Sequence, residues 1–501
     1  MGELFKTLFG EINDAESFKE SLDRHFITIQ DFFNAPFHTQ FQQKDDIERL
    51  ILLKNRIFSS YSYQTVESRS FVLILLDLCE RFALYSCIPR LVDIIQRNGI
   101  VINKRMTAAL KFLFPRPSSN ADLVERFDDI CEILNSAIIE EEDNPQKALV
   151  TFLNYYGHII NNTNVTYSSE AKSKLCGAID SNKYEWLSQV QDISQLDVSN
   201  PNWVYQKIEE KIDYITTRIS EFGTEQSGSL LIEENTDYCN TLSHTPNNFL
   251  TIRQISVNNA NGVLAGRGVD QLHSESEMFE YLKRYGRMHY AKLLSSFEPA
   301  FPQSFDSSIN IVDWGCGQAI ATVTFIEKYR NANVLNITLI EPSEVVLKRG
   351  ALHCKKFSPC ARIKTVCKKL DEVVKSDIIC QNDIPTIHLF SNILDIDDYS
   401  TNHLLSLVDS VLTCNNFFVC VSPYIDVIKT ARLSSFMNHF RNHATFLVYH
   451  DVENTKTGEF WQCNNSFQRR NFSHGDGYSC GVFDSSGCNN KWTRVLKVFS
   501  V

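Results

Sequence analysis

Two acids and two glycines lie close together in one part of this chain. Asp313 stands just before Gly315-Cys316-Gly317 in "INIVDWGCGQAIATVTFIEKY", and Glu341 ends the following run "NITLI". A carboxylate accepts two hydrogen bonds from a cis-diol and attracts a cation. Glycines at a sharp turn let a ligand approach the backbone and take positive φ where the turn requires it. Ile309, Ile311 and Val312 supply a short buried strand, and Ile320, Val323 and Ile326 the apolar face of a helix. These residue types describe a cradle for a polar ligand, set where a strand runs into a helix whose first N–H groups have no partner within the helix.

Dinucleotide binders, P-loop proteins and methyltransferases all use a turn of this kind. No Gly-Lys-Ser/Thr follows it, which removes the P-loop. The third glycine of a dinucleotide GxGxxG would fall at Ile320. With the two acids included, "IVDWGCGQA" and "ITLIEPSEVVLKRGA" resemble motif I and the acidic strand end of class I S-adenosylmethionine-dependent methyltransferases. The resemblance covers roughly residues 275 to 501. It implies S-adenosyl-L-methionine as cofactor, with Asp313 supporting the methionine amino group directly or through water. Gly315, Cys316 and Gly317 would approach the cofactor, and Glu341, followed by Pro342, would take the ribose hydroxyls. The sequence departs from the pattern at Ala319, where the family often has a third glycine.

Looser matches extend the implied site. Leu370 and Asp371 in "CKKLDE" fall where the family contacts adenine. Ser391, Asn392, Leu394 and Asp395 in "HLFSNILDID" fall at the carboxyl edge of the fourth strand, where α/β proteins bind ligands. Tyr285, Arg287 or Tyr290 of "YLKRYGRMHYAKL" would lie near the cofactor's carboxylate. Methyl transfer needs mostly positioning and desolvation, so no catalytic triad is expected. Asp395 and His388 are the candidates for a general base.

The acceptor is not named by these residues. Methyltransferases acting on exocyclic amines carry an Asn/Asp-Pro-Pro-aromatic tetrad where this chain reads "SNIL", and the Pro-Cys dipeptide of pyrimidine C5 chemistry is absent. Cys463, His474, Cys480 and Cys488, like Cys354, Cys360, Cys367 and Cys380, lack the close pair of a compact zinc pattern, and no metal is expected. The stretch from Glu453 to Asn490 interleaves Phe460, Trp461, Phe467, Phe472 and Tyr478 with Arg469 and Arg470, a pattern suited either to stacking bases or to a hairpin with its own small core.

Other elements must position this site. From Ile309 onward strand and helix patterns alternate, with strand candidates "INIVDW", "NITLIEP", "RIKTVCKKL", "TIHLFSNIL", "FFVCVSP", "TFLVYHDV" and "WTRVLKVFSV". This predicts an α/β, Rossmann-like domain over 275–501 with a mostly parallel seven-stranded sheet. Residues 1–220 show helical spacing throughout, as in "NPQKALVTFLNYYGHIINN", and predict an all-α domain of eight to ten helices serving interaction or substrate recognition. Residues 221–274, rich in Ser, Thr, Asn and Gly at their start, read as a linker or irregular strap. At 501 residues the chain is long enough for two or three domains.

Composition bounds the rest. The chain has 49 basic and 60 acidic side chains, and residues 1–220 hold 23 and 31 of them. That balance lowers the odds of RNA and removes the expectation of DNA. Fifteen cysteines without a CxxC pair suit a reducing compartment. The most apolar run, "FVLILLDLCERFALYSCI", contains Asp77, Glu80 and Arg81, so it reads as a buried helix rather than a membrane span. A cytoplasmic enzyme is expected, its acceptor a small molecule, a protein or an RNA, with residues 1–220 available to a protein partner. Two other readings stay open: a non-catalytic methyltransferase fold serving as an assembly module through its helical domain, and a dehydrogenase.

Overall fold

Apolar side chains that return every three or four residues build helices before they build anything else, and the first part of this chain folds accordingly. The structure is a computed structural model. It describes all residues except 1–2, 36, 83, 115–118, 141–144, 163–164, 219–235, 243–247, 261–263, 265–270, 298–299, 306, 380, 382, 456–460, 463–482, 485–486 and 489–490. Two compact units result. One is Met1–Phe222 with Ile425–Ala431, the other Gly223–Tyr424 with Arg432–Val501.

Among the described residues the first unit holds fourteen α-helices between Leu4 and Arg218, more than the eight to ten expected. The excess is made of short helices such as Phe37–Phe41, Asn55–Ser60 and Gln191–Ser194, which periodicity over long windows merges with their neighbours. The long helices follow the pattern. In Pro145–Asn162 the residues Leu149, Phe152, Leu153, Tyr156, Ile159 and Ile160 are all buried. Side-chain caps set several starts: Asp14 and Ser17 form a capping box before Ala15–Phe33, and Thr65 and Asn103 cap Val66–Arg81 and Lys104–Leu113. Charges inside the most apolar run have partners, Glu80 accepting from the Asn154 amide at 3.1 Å. Arg105 donates to the buried Asp77 carboxylate at 2.6 Å, and Arg81 lies 3.7 Å from it.

In the second unit all seven predicted strand segments form strands: β1 (Ile309–Trp314), β2 (Val334–Ile340), β3 (Arg362–Val366), β4 (Thr386–Ser391), β5 (Asn416–Ser422), β6 (Leu447–Asn454) and β7 (Arg494–Ser500). Their order across the sheet is β3-β2-β1-β4-β5-β7-β6. The pairs among β1 to β5 are parallel, whereas β7 runs antiparallel to both β5 and β6, so the sheet is mixed. β1 and β5 are buried along their whole length, as strands covered on both faces must be. Strand order turns back between β1 and β4, and parallel sheets open a ligand crevice at the carboxyl ends of the strands at such a point.

The stretch read as a linker or strap contributes helices Thr236–Thr241 and Asn248–Asn259 to this unit. Tyr238, Phe249, Leu250 and Ile252 on these helices, and Leu242 just after the first, are buried in its core. Of the aromatic and cysteine-rich insertion, short antiparallel pairings are described, Trp461–Gln462 with Lys491–Trp492 and Phe483–Asp484 with Gly487–Cys488. Phe460, Cys463, Phe467, Arg469, Arg470, Phe472, His474, Tyr478 and Cys480 lie outside the described residues. Among the described residues no helix is long and apolar enough to cross a membrane. The described cysteines are free thiols, with Cys79, Cys87, Cys131, Cys316, Cys354 and Cys420 buried.

Candidate functional site

β1 ends where its last rung pairs Trp314 with Ile340 on one side and Phe390 on the other. The chain then turns through left-handed backbone at Gly315 (φ +63°), Gly317 (φ +50°) and Ala319 (φ +58°), and Ala319 opens the helix Ile320–Lys328. The Cys316 N–H donates to the Ile340 carbonyl at 2.8 Å, tying the turn to the end of β2. A Cβ at Gly315 would lie 2.6 Å from Ile393 Cδ1, so this glycine is needed for close packing as well as for its φ. At Gly317 a Cβ would meet nothing within 4 Å. Its missing side chain leaves space open.

Gly317 is also in the wall of a cavity of about 170 Å³. Its floor is the turn Gly315–Gln318, with Glu341 and Pro342 after β2, Lys368–Leu370 after β3 and Ser391–Ile393 after β4. The strand ends therefore bring together Gly315, Cys316, Gly317, Glu341, Pro342, Leu370, Ser391 and Asn392 of the predicted set. Asn392 is held at φ +57°, so two of the three non-glycine residues with positive φ among the described residues flank this cavity. Backbone strain of that kind collects at ligand sites. The Asn392 side-chain oxygen has no hydrogen-bond partner.

The two acids of the motif play different parts. Glu341 lines the cavity, and its carboxylate accepts from the Gly317 N–H and the Ser343 N–H, each at 3.1 Å. Burial pushes its carboxyl up to about 7 against the pull of those two N–H groups, and Asp398, also in the cavity wall, adds to the rise. Asp313 is wholly buried behind the turn and is not in the cavity wall. One of its oxygens accepts from the Thr322 hydroxyl at 2.7 Å and the Thr322 N–H at 3.3 Å, which locks the helix start onto the end of β1. Its other oxygen is buried without a partner. Burial raises this carboxyl to about 7 as well, with Glu341 adding to the shift and Thr322 opposing it.

Other predicted residues fall elsewhere. Asp371 is exposed and accepts from the Ser400 N–H at 2.9 Å, at the start of the helix Thr401–Ser410, so it is a loop tie rather than a wall residue. His388 is an interior residue of β4, stacked on Phe418, with its ring nitrogens 3.3 Å from Trp314 Nε1 and 3.4 Å from Asn416 Oδ1. Burial pulls its imidazole down to about 4, and no cavity atom reaches it as a base. Asp395 is buried and accepts from the Ser422 hydroxyl at 2.9 Å, again off the cavity wall. Leu394 is core. Tyr285 packs on Leu264, Leu272, Met278 and Val346. Arg287 is not part of the wall, and Tyr290 is buried, stacked on Phe249 at 4.1 Å and donating to Glu327 at 2.7 Å.

The cavity wall on that side is instead made by Tyr281, Leu282, Gly286 and His289. The helix Glu275–Tyr281 passes through a π-turn, Leu282–Gly286, before resuming as Arg287–Ser296. A π-turn takes one residue more than an α-turn, so it rotates the faces on either side of it by about 100° relative to each other. A straight-helix reading therefore picks the wrong face. His289 lies 3.3 Å from the Tyr281 hydroxyl, and burial, with Lys292 nearby, lowers its imidazole to about 3. Sequence reading also passed over Gln318, Ile393, Asp398 and Tyr399. Gln318 and Ile393 are marked only by their place after a strand end, and Asp398 and Tyr399 lie further along the loop after β4. Among the described residues no group of three or more His, Cys, Asp or Glu is arranged to hold a metal ion.

The chain matches no protein-family model, and no curated protein matches it. Solved structures do resemble it. The plantazolicin methyltransferase BpumL in complex with SAH is 11% identical, with 44% of this chain and 87% of that one covered and a TM-score of 0.26. A putative RNA methyltransferase from Pyrococcus horikoshii is 11% identical over 50% of this chain and 97% of its own, at a TM-score of 0.25. A putative class I S-adenosylmethionine-dependent methyltransferase from Listeria monocytogenes is 8% identical over 76% and 87%, at a TM-score of 0.27.

Proposed function

We propose that the second unit is an S-adenosylmethionine-dependent methyltransferase. The observation that carries the reading is the turn at Gly317, a left-handed glycine with open space beside it, in the wall of a cavity formed by the ends of β1, β2, β3 and β4. Residues fitted to the group surround that opening: the Gly315–Gly317 backbone, Glu341 for a diol, Leu370 as an apolar wall and Asn392 with an unpaired oxygen. When bound, the cofactor supplies a methyl group on a positively charged sulfur. The chain's own residues bind and orient. Gly315 and Gly317 let the ligand reach the backbone, Glu341 keeps its two backbone N–H partners and offers its remaining lone pairs to ligand hydroxyls, and Ile393, Ile396 and Tyr399 exclude water. Asp313 acts at one remove, fixing the helix start through Thr322. The acceptor is a small molecule, a protein or an RNA, and residues 1–220 are the place for a protein partner. The protein works in the cytoplasm.

A second reading has one observation in its favour. Each oxygen of Glu341 already accepts one of the chain's own N–H groups, so the carboxylate is held in place by the fold itself, as in an assembly module without a ligand. Calorimetry with S-adenosylhomocysteine separates the two. The enzyme reading expects binding that falls at least about tenfold in Glu341→Gln, since two charge-assisted hydrogen bonds are weakened. Well-folded wild-type protein that gives no heat of binding would favour the assembly module.

A further inference from the structure

The back of the glycine turn is held by residues outside the motif. The helix Glu344–Phe357 packs against it so closely that a Cβ at Gly350 would lie 3.0 Å from the Gly317 carbonyl oxygen and 3.3 Å from Ala319 Cβ. One turn further along, His353 is fully buried with Nδ1 2.8 Å from the Gln318 carbonyl and Nε2 2.7 Å from the Tyr238 hydroxyl. Tyr238 comes from the helix Thr236–Thr241, far upstream of the motif, and Arg349 lies 3.6 Å from the centre of its ring. The Arg349 guanidinium also pairs with Glu275 at 2.6 Å.

The hydrogen positions follow from the partners. A carbonyl only accepts, so His353 Nδ1 carries the proton. Burial keeps the imidazole neutral, pulling it down to about 3, so Nε2 is a lone pair and the Tyr238 hydroxyl donates to it. The chain of bonds runs from Tyr238 through His353 to Gln318, and the Gln318 side-chain amide donates onward to the Met278 carbonyl at 3.1 Å. Gln318 thus joins the turn to the helix Glu275–Tyr281, whose last residue is in the cavity wall.

We infer that Tyr238 and His353 are positioning residues for the glycine turn, fixing the Gln318 peptide so that the Gly317 face of the cavity is preset for its ligand. This rests on the methyltransferase reading for the ligand, but not for the turn. A peptide held from behind on one carbonyl cannot rotate without breaking the His353 bond in a place water does not reach, and Gly350 leaves the turn no room to move back. The first described helix after residue 235 is in this way wired to the cofactor turn.

The test uses the full chain with Tyr238→Phe, His353→Leu and His353→Asn, the last keeping a donor for the Gln318 carbonyl. S-adenosylhomocysteine affinity is measured by calorimetry, and hydrogen exchange of the 313–322 segment is followed without ligand. Tyr238→Phe and His353→Leu are expected to weaken binding about five- to tenfold and to speed exchange in the turn, as loss of one buried hydrogen bond implies. His353→Asn should recover most of both. Variants that lower the melting temperature while leaving affinity and turn exchange at wild-type values would overturn the inference, because that is the behaviour of residues that are merely structural. Wild-type protein that binds no S-adenosylhomocysteine defeats the methyltransferase reading, and turn exchange then decides the positioning role by itself.

Discussion

At the scale of single residues, the two acids of the motif make the site sensitive to pH in opposite directions with and without ligand. Asp313 and Glu341 both have carboxyls raised to about 7 in the folded chain, from 3.8 and 4.5. A raised carboxyl means the folded state binds the proton more tightly than the unfolded one. The stability each contributes is complete below about pH 4 and is lost as pH rises through 7. The melting temperature of the unliganded second unit is therefore expected to fall between pH 5.5 and 7.5, and Asp313→Asn should flatten that slope in thermal scans. A slope unchanged by the substitution would contradict the assignment. Ligand reverses the sign. A cationic cofactor and its diol favour ionised carboxylates, so S-adenosylmethionine affinity should rise from pH 6 to 8, and lose most of that rise in Glu341→Gln. The glycines divide differently. Gly317→Ala adds a Cβ to a left-handed position in the cavity wall, so binding should weaken while stability falls by about 1–2 kcal/mol. Ala319→Gly removes a strain of the same order and should leave stability unchanged or slightly raised in denaturant titration.

At the scale of elements, a helix carrying charges into an apolar core depends on their partners. Burial alone would raise the Asp77 carboxyl, but Arg105 and Arg81 hold it below the usual range. Asp77→Asn strands Arg105 in the interior and should cost about 3 kcal/mol or more, read as a lowered denaturant midpoint for the helical unit. Glu80, raised to about 7 by burial and by Asp77, does not replace it, since near neutral pH it is only partly ionised. The same element level shows what periodicity can and cannot reveal. Seven strands were legible because five are apolar runs and β3 and β6 are rich in β-branched and aromatic residues between turns, and the reversal of β7 was not, because strand direction depends on partners distant in sequence. Gly315, Gly317 and Glu341 were legible because a turn and a strand end leave fixed residue types at fixed spacing. The Tyr281 to His289 wall was not, since a π-turn changes the phase of a helix without changing its composition. His388 looked like chemistry and is core, stacked between Trp314 and Phe418. Nothing in a single sequence separates a buried histidine from one that faces a ligand.

At the scale of the molecule, the chain divides into two compact units, each with its own hydrophobic core. Ligand linkage makes that division measurable. A ligand that binds only the folded second unit stabilises it by about 2.7 kcal/mol at a free concentration a hundred times its dissociation constant. For a unit of this size that corresponds to roughly 5–10 °C in melting temperature. Scanning calorimetry should therefore show two transitions, one raised by that amount with saturating S-adenosylhomocysteine and the other lowered by Asp77→Asn without ligand. The crossed measurement carries the discrimination. In Asp77→Asn the ligand-induced shift should keep its full size, because the site is built from Gly317, Glu341 and their neighbours inside the second unit and borrows nothing from the Asp77 network. A single transition that both the ligand and the substitution move would mean that the two cores unfold as one cooperative body.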